Sequence, residues 1–275
     1  MSGRNGTTDP AGSAKSAQSD IRKFWDSTGL SMPPFFGAPS TRYYFECERM
    51  IFERFAPDLG DRRLVKTDLW DEAKNTRILN WAAGQGAETY AIDISTEIIR
   101  GARAGFPQEK SRGFIASDVR QIGFKDDTFD LLYSMGTVEH FREYEKALRE
   151  CRRVLKPGGT AIIGVPNKAD PFLRPLLVAF LNSVGLYGYG YEKSFTRKRL
   201  EKMLTGAGFQ VKAGSGILFM PGWLRLADLF IYVRWPRLKF LIAPFIAPFA
   251  WLYKKFPILR RHGYLIFCVV EKPRV

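Results

Sequence analysis

At 275 residues, 45% hydrophobic and 25% charged, the chain can bury one large core, or a core with an insertion, which argues against a wholly disordered polypeptide. Its three cysteines, Cys47, Cys151 and Cys268, have no paired spacing and only His140 and His262 to join them, so neither a disulfide framework nor a structural metal site is expected, and a reducing compartment fits. The formal net charge of +14 is unevenly placed: residues 217–262 hold eight Lys or Arg against the single acid Asp228.

Residues 1–20 are rich in Gly, Ser, Thr and Ala with no apolar stretch, which predicts a disordered tail and not a signal peptide. Residues 21–60 read as an N-terminal arm. Its STGLSMPPFFGAPS portion predicts irregular chain, and RYYFECERMIFERF predicts a helix with Tyr44, Cys47, Ile51 and Phe55 on one face. A first strand is expected at 63–67 (RLVKT), then a loop DLWDEAKN, a helix at 76–83 and a second strand at 88–94. The strand cannot be ILNWAAGQG, because AETYAIDIS follows at once and leaves no crossover of about ten residues between parallel strands.

Three further runs, 114–116, 129–135 and 160–165, are short, apolar and free of Pro, as in a parallel sheet buried on both faces. Between the last two, Phe141, Tyr144, Leu148, Cys151 and Leu155 recur every three or four residues, and LKPGG predicts the stop of that amphipathic helix. Strand, helix, stop and strand make a right-handed crossover, so the expected fold class is α/β with a doubly wound sheet.

An Asp just past a strand (SDV), then FDLLYSMGTVEHF, then a helix ending in RVLKPGGTAIIGVPN resembles the class I S-adenosylmethionine-dependent methyltransferases of the branch that methylates small molecules and lipids. The resemblance covers about 62–209 plus the last strand. It implies a seven-stranded, mostly parallel Rossmann-like sheet with the last strand antiparallel, helical insertions, and S-adenosylmethionine as cofactor. It further implies a domain over 61–275, with GFQVKAG and GYLIFCVVEKP as the last two strands.

One departure is plain. The loop after the first strand, Thr67-Asp68-Leu69-Trp70-Asp71-Glu72, has no glycine. The cofactor carries no phosphate, so a glycine nest is not compulsory, and Asp68 or Glu72 can receive its ammonium. By the resemblance, Asp93 meets the ribose and Ile94 beside it also contacts the cofactor, although an Asp before Ser95 also suits a helix cap. Asp118 and Val119 correspond to the adenine amino group and ring, a turn aspartate being the plainer role. Ser134, Met135 and Gly136 end the fourth strand at the ligand-binding edge. Tyr43 or Tyr44 faces the sulfonium, or both pack in the core. Glu139 and His140 open the next helix and face the reaction centre, His140 as general base or as a structural histidine.

Residues 168–195, aromatic and punctuated by Gly, predict a substrate lid with Tyr187, Tyr189, Tyr191 and Glu192 on its wall. Residues 217–262 predict a basic, aromatic, helical insertion. Its longest apolar run has 14 residues and two prolines, short of the roughly 20 that span a bilayer, so peripheral contact at the inner membrane surface is expected, with core extension or a dimer contact as the alternative. The expected activity is methyl transfer to a small, lipophilic acceptor (a quinone, lipid or natural product) in the cytoplasm. An RNA or DNA methyltransferase is less expected: SMGTVEH replaces the Asn/Asp-Pro-Pro-aromatic box, and no Pro-Cys pair is present. A non-catalytic scaffold of the same fold is the other alternative.

Overall fold

The computed structural model describes residues 10–106 and 111–274. Helices α1 (Pro10–Ser31) and α2 (Pro39–Phe55) precede β1 (Arg63–Lys66), α3 (Trp70–Lys74), α4 (Ile78–Gly84), β2 (Glu88–Asp93), α5 (Thr96–Ala104) and β3 (Ser111–Ala116). Then come β4 (Phe129–Met135), α6 (Tyr144–Val154), β5 (Leu155–Pro166), α7 (Arg174–Ser183), α8 (Arg197–Gly206), β6 (Gln210–Ile217), α9 (Gly222–Arg234), α10 (Lys239–Lys255) and β7 (Leu265–Glu271).

These strands form one sheet in the order β3-β2-β1-β4-β5-β7-β6. β1 to β5 pair in parallel, and β7 runs antiparallel to both β5 and β6. The doubly wound, seven-stranded expectation holds. Neighbouring residues of each central strand enter opposite cores: Leu64, Leu131, Ile162 and Phe267 on one side, Val65, Leu132, Ile163 and Cys268 on the other. That two-sided burial is why the strands read as unbroken apolar runs.

Several local expectations are corrected. Part of the predicted tail, residues 1–9, lies outside the described residues, but from Pro10 to Ser31 the chain is helical where a disordered tail and an irregular arm were expected. Tertiary contacts hold it there: Asp26 Oδ1 accepts from Ser95 Oγ at 2.6 Å and from Glu97 N at 3.2 Å, capping α5, and Gly29 lies against Ile98. The loop after β1 contains a short helix, α3, and the helix expected at 76–83 is α4. Glu139 and His140 sit in a separate 3-10 turn, Val138–His140, and not in α6. LKPGG is the bulged start of β5, with Leu155 opposite Phe129 and Gly158 at φ 78°. Among the described residues no helix is long and apolar enough to cross a membrane.

Candidate active site

The strand order reverses between β1 and β4, and a cleft open to solvent lies at their carboxyl ends, spanning about 1190 Å³ of space that includes open solvent. Each strand delivers its last residues into it. Thr67 and Asp68 follow β1, Asp93 closes β2 with Ile94 just beyond it, Met135 closes β4 ahead of Gly136, and Pro166 closes β5. Gly136, at φ 80°, makes the turn that brings Thr137, Glu139 and His140 to the wall.

The glycine-free loop is ordered by an ion cluster. Lys66 points into the protein with no exposure, its Nζ 2.7 Å from Asp68 Oδ1, 3.2 Å from the Asp68 carbonyl oxygen and 3.0 Å from Asp71 Oδ2. Burial opposes that ammonium, but Asp68, Asp71 and Glu72 outweigh it and hold its pKa above the ordinary lysine value. From β1 through α3 no residue has positive φ, so the loop turns without needing glycine. A chain of hydroxyls ties it to β4: Thr67 Oγ1 is 2.8 Å from Ser134 Oγ and 3.1 Å from Thr137 Oγ1, which donates to Asp68 Oδ2 at 2.9 Å.

Asp93 stands next to this loop. Its Oδ2 accepts from Leu69 N and its Oδ1 from Ser95 N, both at 2.8 Å, so it links the loop to α5 while lining the cleft. Burial raises its pKa to about 7, against the pull of the two N–H groups. Beyond it, Ile94, Ile98, Val119 and Phe141 form an apolar slot, and Arg120 stacks over Phe141 with its guanidinium 4.7 Å from the ring centre.

Two predicted carboxylates point elsewhere. Glu72 is buried with Oε1 accepting from Leu79 N at 2.8 Å and Oε2 from Asn80 N at 3.4 Å, so it caps α4 and does not line the cleft. Asp118 is gripped by Arg120, Nη2 to Oδ2 at 2.7 Å, while its neighbours Ser117 and Val119 line the cleft. Ser134 lies just beneath the lining. Thr67, Asp68, Asp93, Ile94, Val119, Met135, Gly136, Glu139, His140 and Tyr44 are brought together in it.

The outer wall comes from three segments. Trp25 of α1 stands between Trp70 and His140, with ring centres 6.3 Å and 5.0 Å away. Residues 168–195 supply Arg174, Tyr187, Tyr189 and Glu192: Arg174 makes paired bonds to Glu192 at 2.7 Å and 2.9 Å, Tyr187 donates to the same carboxylate, and Tyr189 meets Trp70 edge-on. Tyr191 is not on the wall, but its carbonyl lies 2.8 Å from His140 Nδ1. A carbonyl only accepts, so Nδ1 carries the proton and Nε2 is left as an acceptor. Desolvation lowers the His140 pKa, which keeps the ring neutral near pH 7. Glu139 is buried, with Oε2 unpartnered among the described residues; burial, then the Glu192 charge, push its pKa well above the usual range.

The third segment is the basic insertion. From α9, Arg225, Leu226 and Leu229 line the cleft. Arg225 Nη2 is 3.4 Å from Asn75 Oδ1, and Asn75 Nδ2 donates to Asp71 Oδ1 at 2.8 Å, so a polar chain runs from α9 to the Lys66 cluster. Sequence reasoning missed Trp25, Arg174 and Arg225 as site residues. Lys66 did leave a signal, a charge placed directly after the apolar pair Leu64-Val65 at the end of β1.

A family model described as a methyltransferase domain matches residues 73–163, beginning one residue past Glu72. The chain carries a class I methyltransferase domain. S-adenosylmethionine is the cofactor of that domain. The malonyl-[acyl-carrier protein] O-methyltransferase of Methylococcus capsulatus is 30% identical over 129 residues, 46% of this chain and 45% of that protein. A ubiquinone biosynthesis O-methyltransferase of Rhizobium leguminosarum is 25% identical over 162 residues, 53% of this chain and 63% of that protein. The chain thus spans about half to under two thirds of these curated relatives. An S-adenosylmethionine-dependent methyltransferase from Mesorhizobium loti superposes with a TM-score of 0.56 at 17% identity, covering 82% of this chain and 97% of that one, which establishes the shared fold.

The methyltransferase domain's cleft fits that cofactor by its own chemistry. It is lined by five acidic side chains, of Asp68, Asp71, Asp93, Glu139 and Glu192, against two guanidiniums, with Lys66 paired to Asp68 and Asp71, Arg174 paired to Glu192, and burial favouring the protonated form of Glu139. Such a wall suits a ligand with an ammonium, a sulfonium and donor hydroxyls. Among the described residues no His, Cys, Asp and Glu cluster has the geometry to hold a metal ion.

Proposed function

We propose that this protein methylates a small, lipophilic acceptor carrying an acidic hydroxyl or amine, and that the acceptor sits beneath residues 168–195, which act as a lid. The observation that carries this reading is the division of one cleft into an acidic inner half at the strand ends and an aromatic outer half. Bound S-adenosylmethionine supplies an activated methyl group to an electron-rich atom. The rest falls to positioning and proton removal.

In this reading Asp93 accepts from the ribose hydroxyls, Asp68 receives the ammonium, and Ile94, Val119 and Phe141 flank the adenine. Trp25, Trp70, Tyr44 and Tyr189 surround the sulfonium end, where aromatic faces attract a cation. His140 Nε2 takes the acceptor's proton, and the Tyr191 carbonyl holds the ring in the tautomer that leaves Nε2 free. Glu139 stays protonated and offers a hydrogen bond to the acceptor. The Arg174–Glu192 pair braces the lid. The relatives' names, one in ubiquinone biosynthesis, accord with an oxygen acceptor. The acidic lining disfavours a nucleic acid, whose phosphates would meet carboxylates at the cleft.

The test is incubation with methyl-labelled cofactor and separate lipid and RNA extracts. Label in the lipid fraction is expected. Label confined to RNA would overturn the acceptor class, and tight cofactor binding without transfer to either fraction would favour the non-catalytic scaffold.

A further inference from the structure

Three neighbouring helices each carry an apolar stripe that the fold leaves largely exposed. α9 buries Leu224 and Asp228, yet Trp223, Leu226, Phe230 and Val233, spaced by three or four residues, are 41–63% exposed. α10 buries Ile246 and Tyr253 and exposes Phe240, Leu241, Phe245 and Trp251. α7 buries only Arg174 and exposes Leu176 and Phe180, with Leu173 exposed just before it. α7 packs on α9 and α9 on α10, and Phe172, just before α7, stacks against Phe219 and Phe249, so the stripes belong to adjoining elements. Isolated exposed apolar residues are ordinary; stripes on three adjoining helices mark an interaction surface.

The charge around this surface identifies its partner. Arg234, Arg237 and Lys239 lie exposed between α9 and α10, and Lys254, Lys255 and Arg261 lie exposed at the far end of α10. Asp228, the sole acid of 217–262, is buried and accepts from Ser40 N. Lys254 also reaches Glu46 of α2 at 3.6 Å, but the rim is predominantly basic, which disfavours a two-fold contact with a second copy that would set like charges against each other. It complements an anionic bilayer, where each basic side chain near the surface adds about 1 kcal/mol and aromatic rings suit the headgroup boundary.

We infer that α7, α9 and α10 dock together on anionic lipid, lying in the interface with the cleft mouth beside it. Leu226 belongs both to the exposed stripe and to the cleft lining, so a lipophilic acceptor passes from bilayer to cleft along α9. This delivery rests on the methyl-transfer reading above; the docking does not.

Vesicle flotation without cofactor or acceptor tests it. The protein should float with phosphatidylcholine vesicles containing phosphatidylglycerol, less with phosphatidylcholine alone, and less again at high salt. Phe180→Ser, Phe230→Ser and Phe240→Ser together, none in the cleft, should abolish flotation while calorimetry still shows cofactor binding. If that variant fails to fold, Arg234→Glu, Arg237→Glu and Lys239→Glu together should lower partitioning at least about tenfold on the anionic vesicles. No flotation with either vesicle, or a wild-type dimer that the Phe variants dissociate while lipid binding is absent, would overturn the docking. Flotation with no methyl transfer to any acceptor would leave the docking standing and remove the proposed function instead.

Discussion

Lys66 and Asp68 form an ion pair, Nζ to Oδ1 2.7 Å, at the point where β1 turns into the loop that lines the cleft, and the lysine is wholly buried. Lys66→Met would leave Asp68 and Asp71 facing each other without a cation, which should cost about 3–5 kcal/mol of stability. Adding Asp68→Asn should restore part of it. Thermal and denaturant unfolding of the two variants checks this, and an unchanged midpoint for Lys66→Met would show that the pair contributes nothing.

Asp68 and Glu72 should separate cleanly. Asp68→Ala should weaken cofactor binding by about one to two decades, the loss of a charge-assisted bond of roughly 1.5–3 kcal/mol. Glu72→Ala removes a helix cap and should lower stability by about 1–2 kcal/mol with cofactor affinity kept. Equal affinity losses in the two folded variants would contradict the different directions of their carboxylates.

Burial raises Asp93 from 3.8 to about 7. The ligand-free folded state therefore holds a proton that the unfolded chain releases, and this group's contribution to stability is full below pH 3.8 and declines as pH rises towards 7. Cofactor binding has the opposite sense, since the ionised carboxylate accepts from both hydroxyls. Affinity should rise with pH up to about 7 and level off above, and Asp93→Asn should be weaker and flat. Calorimetry across that range decides; a pH-independent wild type would remove Asp93 from the ribose.

His140→Gln should slow transfer by about 10²- to 10⁴-fold while leaving cofactor affinity intact. Because desolvation lowers the His140 pKa, the acid limb of the wild-type rate profile should lie below 6.5. A limb above that value, or a fast glutamine variant, would assign the proton to another group.

Removing residues 1–31 takes away Trp25 and the Asp26 cap of α5. The shortened protein should keep its sheet, read by circular dichroism, and bind the cofactor more weakly. Unchanged affinity would mean that α1 only covers the surface.

Strand identity was legible in the sequence because each central strand is buried on both faces, so the runs at 63–67, 129–135 and 160–165 announce themselves without tertiary information. Crossover length alone placed β1 ahead of ILNWAAGQG, and Asp93 followed from its position at a strand end. Which acid of DLWDE faces the cleft was not legible. That choice depends on Lys66 beneath Asp68 and Asp71, and on the start of α4 above Glu72, partners that only folding brings within about 3 Å. The same holds for α1, a weakly helical segment ordered by capping α5, and for α9, whose Arg225 reaches the loop through Asn75. Local periodicity reports which face of an element is buried; the partners of a polar side chain are set by distant residues, and only the tertiary structure decides them.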